Sequence, residues 1–134
     1  MKVKDYKELR VWKKGIEIVD RIYSLTSKFP QSESYALSNQ MRKAAVSISS
    51  NIAEGFMRRG TGEYRQFLHV SLGSCAELET QIIISSKRQY LSNVEMEDSL
   101  EDINYEIRML ISMIQKISNS RVTSHLSRVT ENRI

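Results

Sequence analysis

His69 and His125 are the two imidazoles of the chain, and Cys75 is its one thiol. Their spacing bounds the metal and nucleophile chemistry. A di-iron carboxylate centre in a helical bundle needs Glu-x-x-His on two helices. Gln66 stands three residues before His69, and Val122 three before His125, so neither completes the motif. Two His and one Cys do not make a tetrahedral zinc site without several carboxylates. His69 reads as a helix-flank residue. Cys75 falls on an apolar seam, where a thiol behaves as a small hydrophobe. There is no Gly-x-Gly-x-x-Gly or Walker-type loop, and Gly60-Thr61-Gly62 is too short to cradle phosphates by itself. The sequence therefore predicts no catalytic residue, no metal, no cofactor and no enzyme.

Two other sets of residues carry more. Gln40, Ser47, Asn51 and Glu54 follow a heptad rhythm beside an apolar stripe, and Ser74, Glu77 and Gln81 do so one segment later. Buried polar groups need partners, and a satisfied set fixes helix register. Gln40, Asn51, Glu54, Ser74 and Glu77 thus predict an interhelix polar network; a polar site at a subunit boundary is the other reading. The second set is charge. Lys2, Lys4, Lys7, Arg10, Lys13 and Lys14 crowd the start of the chain against Asp5 and Glu8. Arg58, Arg59 and Arg65 crowd a Gly-rich break, while Glu95, Glu97, Asp98, Glu101, Asp102 and Glu106 make the last segment acidic. Acids in a first helical turn complement the macrodipole, so part of that cluster is ordinary. Clustered cations neutralise phosphates and release counterions. Lys13, Lys14, Arg58, Arg59 and Arg65 are the expected phosphate contacts. Tyr6, Trp12 and Tyr64 lie near them, where an aromatic face can stack on a base, although Trp12 and Tyr64 also fit apolar seams.

The elements that position these residues follow from the breakers. The chain has 134 residues with one Pro and five Gly, too few breakers for many turns. Phe29-Pro30 closes a first segment. Gly55, Gly60 and Gly62 mark a second break, and Gln89 to Asn93 a third. In the first segment Leu9, Trp12, Ile16, Val19, Tyr23 and Thr26 recur at alternating threes and fours, a helical seam. Val11, Ile18, Ile22 and Leu25 form a second line. The arc is wider than one partner helix needs, so these four suggest an oligomer interface, or else a helix deep in a bundle.

A second helix is expected from about Ser34 to Gly55, with Ser32 or Ser34 as N-cap and Gly55 at a C′ position needing positive φ. Its stripe is Leu37, Met41, Ala45, Ile48 and Ile52. A third is expected from about Thr61 to Lys87. The fourth opens on Ser92-Asn93-Val94-Glu95, a capping box, and carries Leu100, Ile103, Ile107, Leu110, Ile114 and Ile117. The prediction is an all-α, antiparallel up-down-up-down four-helix bundle over 1–119. A polar, mobile tail follows over 120–134, with a short helix near Leu126 to Val129.

The length fits one domain. One Cys allows no intrachain disulfide and points to a reducing, cytoplasmic setting. No apolar run approaches ~18 residues, which predicts no membrane span. The charged start, Met1 to Asp5, leads into no apolar run, so no signal peptide is expected. The net charge of +4 tilts mildly towards acidic partners.

The string Ser47-Ile48-Ser49-Ser50-Asn51-Ile52-Ala53-Glu54-Gly55 resembles a signature of the four-helix-bundle proteins encoded in 23S rRNA intervening sequences. Leu9-Arg10-Val11-Trp12 resembles that family's opening. Phe29-Pro30 with Glu33, Tyr35, Leu37, Gln40 and Arg42 resembles its second-helix entry. Phe67-Leu68, Gly73-Ser74 and Glu77-Leu78-Glu79 resemble its third helix. The resemblance covers roughly Leu9 to Ser86. It implies a bundle assembling as a ring, a homopentamer, without established enzymatic activity. A related branch, the accessory proteins of diversity-generating retroelements, binds nucleic acid and a reverse transcriptase; this chain resembles the intervening-sequence branch more closely. The expected function is a non-enzymatic, oligomeric bundle that binds structured RNA or DNA through basic rims. The alternative is a protein–protein adaptor, or a reverse-transcriptase accessory-type scaffold, without direct nucleic-acid binding.

Overall fold

The structure, a computed structural model, describes the backbone of residues 3–132 and the side chains of residues 3–118. It is built from α1 (Arg10–Thr26), α2 (Leu37–Phe56), α3 (Thr61–Lys87) and α4 (Asn93–Asn132), with 3-10 turns at Tyr6–Glu8 and Gln31–Glu33. Each helix packs on its chain neighbours, and α4 closes onto α1. The contacts run in opposite directions along each pair. Ser49 on late α2 donates to the Trp12 carbonyl on early α1 at 3.1 Å. Arg65 on early α3 donates to Ser118 on late α4 at 3.2 Å. Lys28, just past α1, pairs with Glu95 on early α4 at 3.2 Å. This is the all-α antiparallel four-helix bundle that the apolar spacing predicts. Among the described residues no helix is long and apolar enough to cross a membrane. Where a tail over 120–134 with a short helix near Leu126 to Val129 is expected, the backbone of 120–132 continues α4; the side chains there lie outside the described residues.

The helix ends show local causes. At the start of α4, Glu95 N donates to Ser92 Oγ at 3.1 Å and Ser92 N donates to Glu95 Oε1 at 3.0 Å. That is the predicted capping box. The backbone N–H of Ser92 and the nearby Lys28 ammonium hold the Glu95 carboxyl below its ordinary range. At the end of α3, Tyr90 N bonds to Ser85 O and Gln89 N to Ser86 O, both at 2.9 Å. These two bonds make a Schellman motif, with Gln89 at φ 65° in the left-handed position usually given to Gly.

Two expected ends differ. Ser32 and Ser34 do not cap α2, which starts at Leu37 after the Gln31–Glu33 turn, with no side-chain cap on Ala36. Gly55 lies inside α2, and no glycine among the described residues has positive φ. Its role is close approach: a Cβ there would sit 2.8 Å from Phe67 Cβ and 3.1 Å from Tyr64 Cδ1 on α3.

On α1 both lines meet the core, and the second is the more deeply buried: Leu9, Trp12 and Val19 pack at the core's edge and Thr26 is buried. Val11, Ile18, Ile22 and Leu25 are buried inside the protomer, at 0–7% exposure, and spend almost all of their surface on its own core rather than on a partner subunit. Ile16 and Tyr23, read as seam residues, are 38% and 44% exposed. The cause is Gly15, which is buried beside Ser49. Counted with its neighbours, Val11, Gly15, Ile18, Ile22 and Leu25 form an alternating four–three stripe. A glycine leaves no apolar signal in the sequence, yet here it marks a close approach of α1 to α2 and α4. α4 keeps its expected seam, with Ile103, Leu110 and Ile114 buried and Ile117 packed against the core. Ser99, Ile103, Glu106 and Leu110 are buried on its inner line, with Leu100 and Ile107 at the flanks.

Candidate functional site

Up-down-up-down topology brings the start of α1, the α2–α3 turn, the start of α3 and the second half of α4 to one end. Four edge-packed aromatics close the core there. Ring centroids are 5.7 Å apart for Tyr6 and Trp12, 6.4 Å for Tyr6 and Phe56, and 6.1 Å for Phe56 and Tyr64. Tyr6, Trp12 and Tyr64 are half-buried in this cluster rather than free to stack on bases. Burial pushes the Tyr64 phenol up to about 12.

The expected phosphate-binding residues fare differently. Lys13 and Arg59 are exposed, and neither forms an ion pair among the described residues. Arg65 is half-buried and bonded to Ser118. Arg58 is exposed but pairs with Glu54 at 2.6 Å and lies over the Phe67 ring at 5.0 Å. Lys14 is a correction. Its ammonium is 2.9 Å from Asp102 and 3.3 Å from Glu17, and the Asp102 hydrogen bond raises its pKa. Arg21 reaches the same Asp102 at 2.6 Å. Lys14 therefore ties α1 to the acidic face of α4 instead of facing a ligand. Sequence reading also missed Arg108 and Lys116, exposed on α4 near this end. They sit far along the chain from the other cations, so only the fold gathers them.

Of the expected interhelix network, one cross-helix bond forms. Ser47 Oγ and Ser74 Oγ are 2.8 Å apart between α2 and α3. Asn51 Nδ2 donates to Ser47 O at 2.8 Å and to Ser47 Oγ at 2.9 Å, so it supports that bond from its own helix. Glu77 accepts from Gln81 within α3 at 3.3 Å, and Glu54 turns to Arg58. Gln40 is exposed and stands outside the network. The physical reason is distance from the axis: Gln40, Glu54 and Glu77 are on outer faces, where water supplies partners.

The bundle interior holds a polar group that the sequence shows only as one of the acids of the last segment. Glu106 is 0% exposed, and neither carboxyl oxygen has a hydrogen-bond partner. A Cβ on Gly15 would lie 3.2 Å from Glu106 Oε2 and 3.3 Å from Ser49 Cβ, so α1, α2 and α4 converge at this point. Cys75 on α3 is close enough for its thiol to feel the Glu106 charge. Desolvation pushes Glu106 up to about 8, with Lys14 opposing and Glu17 adding to the shift. Burial likewise pushes the Cys75 thiol up to about 12, leaving it a packed, unreactive side chain. The available signal was position: Glu106 stands three after Ile103 and four before Leu110, at a seam site. Among the described residues no three His, Cys, Asp or Glu side chains come together as metal ligands.

None of the curated proteins matches this chain. A crystal structure from Bacteroides thetaiotaomicron, described as a protein with unknown function from the S23 ribosomal protein family, has the same fold. Its TM-score is 0.73 at 23% identity, covering 78% of this chain and 97% of that one. The family model of the 23S rRNA-intervening sequence protein matches residues 7–112, from the 3-10 turn before α1 to the middle of α4. The chain therefore belongs to the 23S rRNA-intervening sequence protein family.

Proposed function

We propose that this protein is a non-enzymatic, self-associating bundle that binds structured RNA or DNA through the basic end where α1 and α3 begin. The observation that carries this reading is the gathering of cations from three separate segments, α1, the α2–α3 turn and α3, at one end. Lys13 and Arg59 project there without ion pairs among the described residues, and Arg58 and Arg65 flank them. Each phosphate neutralised adds about 0.9 to the slope of log affinity against log salt. The double change Lys13→Glu and Arg59→Glu is expected to weaken binding to a structured RNA about tenfold at low salt and to flatten that slope. The same reversals at Lys87 and Arg88, exposed at the opposite end, leave both unchanged. A gel-shift titration over several salt concentrations decides it. Equal loss from both pairs sinks the assignment to this end.

Self-association rests on different residues from those first expected. Ile16 and Tyr23 on α1, Val46 on α2, and Val70, Ile83 and Ile84 on α3 are each 38–46% exposed. Apolar side chains left on outer helix faces favour a subunit contact. Sedimentation at micromolar concentration is expected to show an assembly, and Ile16→Glu with Tyr23→Glu to shift it towards monomer. A wild-type monomer under those conditions ends this part of the reading.

A further inference from the structure

Along the contact between the start of α1 and the middle of α4 runs an open groove of about 850 Å³. Its apolar lining includes Val3, Leu9, Val11, Met109 and Met113, and Arg10, Arg108 and Lys116 stand on its walls. The three cations are exposed and form no ion pair among the described residues. Glu8 is the one acid on the lining. We propose that this groove is a docking site for an acidic amphipathic helix of a partner protein.

Three features select that occupant. Met109 and Met113 are one turn apart on α4, so a hole between two flexible thioethers can receive an apolar knob. Arg108 and Lys116 are two turns apart, about 12 Å along the helix. That span suits carboxylates flanking the apolar stripe of a two-turn helix segment, the helix-in-groove mode. The charge surplus on the walls rejects a basic or neutral helix and steers an acidic one. A nucleic acid would use the same cations but has no use for a methionine floor. The lining offers one aromatic, Tyr105, and its ring already faces the Lys14 ammonium at 5.3 Å. The groove is thus separate in chemistry from the basic end and does not depend on the nucleic-acid reading.

The test uses the full chain with methyl-labelled methionine, observed by NMR. The probe is a synthetic peptide of about four turns, with Leu at i, i+3, i+4 and i+7 and Glu on the flanks. It is expected to bind saturably and to shift the Met109 and Met113 methyl signals. A scrambled peptide of equal composition, and one with Lys replacing Glu, are expected to leave them in place. Arg108→Glu with Lys116→Glu should weaken binding about tenfold. If that variant fails to fold, the wild-type methyl map still decides. Unmoved Met109 and Met113 signals overturn the proposal, as does equal binding of the scrambled peptide. So does displacement of the same signals by an RNA duplex, or by dilution of the free protein, which would assign the groove to nucleic acid or to a second copy.

Discussion

Gly15→Ala is expected to lower the free energy of unfolding by about 2–3 kcal/mol, read by urea denaturation. Helix propensity argues the other way, because alanine in a helix interior is favoured over glycine by about 1 kcal/mol. Packing decides the sign. The added Cβ would run into Ser49 Oγ, and would meet Glu106 Oε2 at 3.2 Å and Ser49 Cβ at 3.3 Å. Ser49 could swing its hydroxyl aside only by giving up its bond to the Trp12 carbonyl. Glu106 is fully buried in a close-packed interior, so its retreat must displace core side chains. Gly73 is the internal contrast: it is exposed on α3, and a Cβ there meets nothing within 4 Å. Gly73→Ala should therefore be neutral or stabilising by up to about 1 kcal/mol. Ser49→Ala in the Gly15→Ala background should recover part of the loss, because the two side chains share one space. A Gly15→Ala protein as stable as the Gly73→Ala protein would show that α1 does not approach α2 and α4 as described.

This contrast also shows what the sequence made legible. Helix number, order and the α3 limits follow from large apolar residues at helical spacing and from breakers, both plain in one dimension. The capping box at Ser92 and Glu95 is equally local and forms as read. The seam of α4 was legible, since Ile103, Leu110 and Ile114 are buried and Leu100, Ile107 and Ile117 pack on the core; the facing of α1 was less so, because its buried line runs through Gly15, a small residue that leaves no apolar signal. The oligomer residues Val11, Ile18, Ile22 and Leu25 were misplaced for that reason. Lys14 was misread because its partner, Asp102, is 88 residues away along the chain. Arg108 and Lys116 were missed because charge clusters were sought along the chain, whereas a four-helix bundle gathers its ends from distant segments. Long-range pairings of this kind need the fold before they can be seen.

Glu106 makes stability fall as pH rises, with a window set by its two states. In the unfolded chain it titrates near its ordinary value of 4.5, and in the folded chain at about 8. Below 4.5 it is protonated in both states and adds no charge penalty. Between 4.5 and 8 the folded state holds a proton that the unfolded state has released, so stability drops by about 1.4 kcal/mol per pH unit. Above about 8 the carboxylate is ionised in both states, and the penalty is complete. Glu106→Gln keeps the shape and removes the titration. It is expected to be nearly neutral at pH 5 and to stabilise by about 3 kcal/mol at pH 7. Other carboxylates titrate alike in both proteins, so the difference between their urea curves isolates this residue. A difference that does not grow with pH would show that Glu106 stays hydrated or paired in the folded protein. The same chemistry bears on register. A neutral carboxyl is tolerated between Gly15, Ser49 and Cys75, all small. Sliding α4 by one turn would set Glu106 among the large aliphatic side chains of the adjacent layers. A group that costs stability in the correct register costs more in the wrong ones, and that difference selects one alignment of four similar helices.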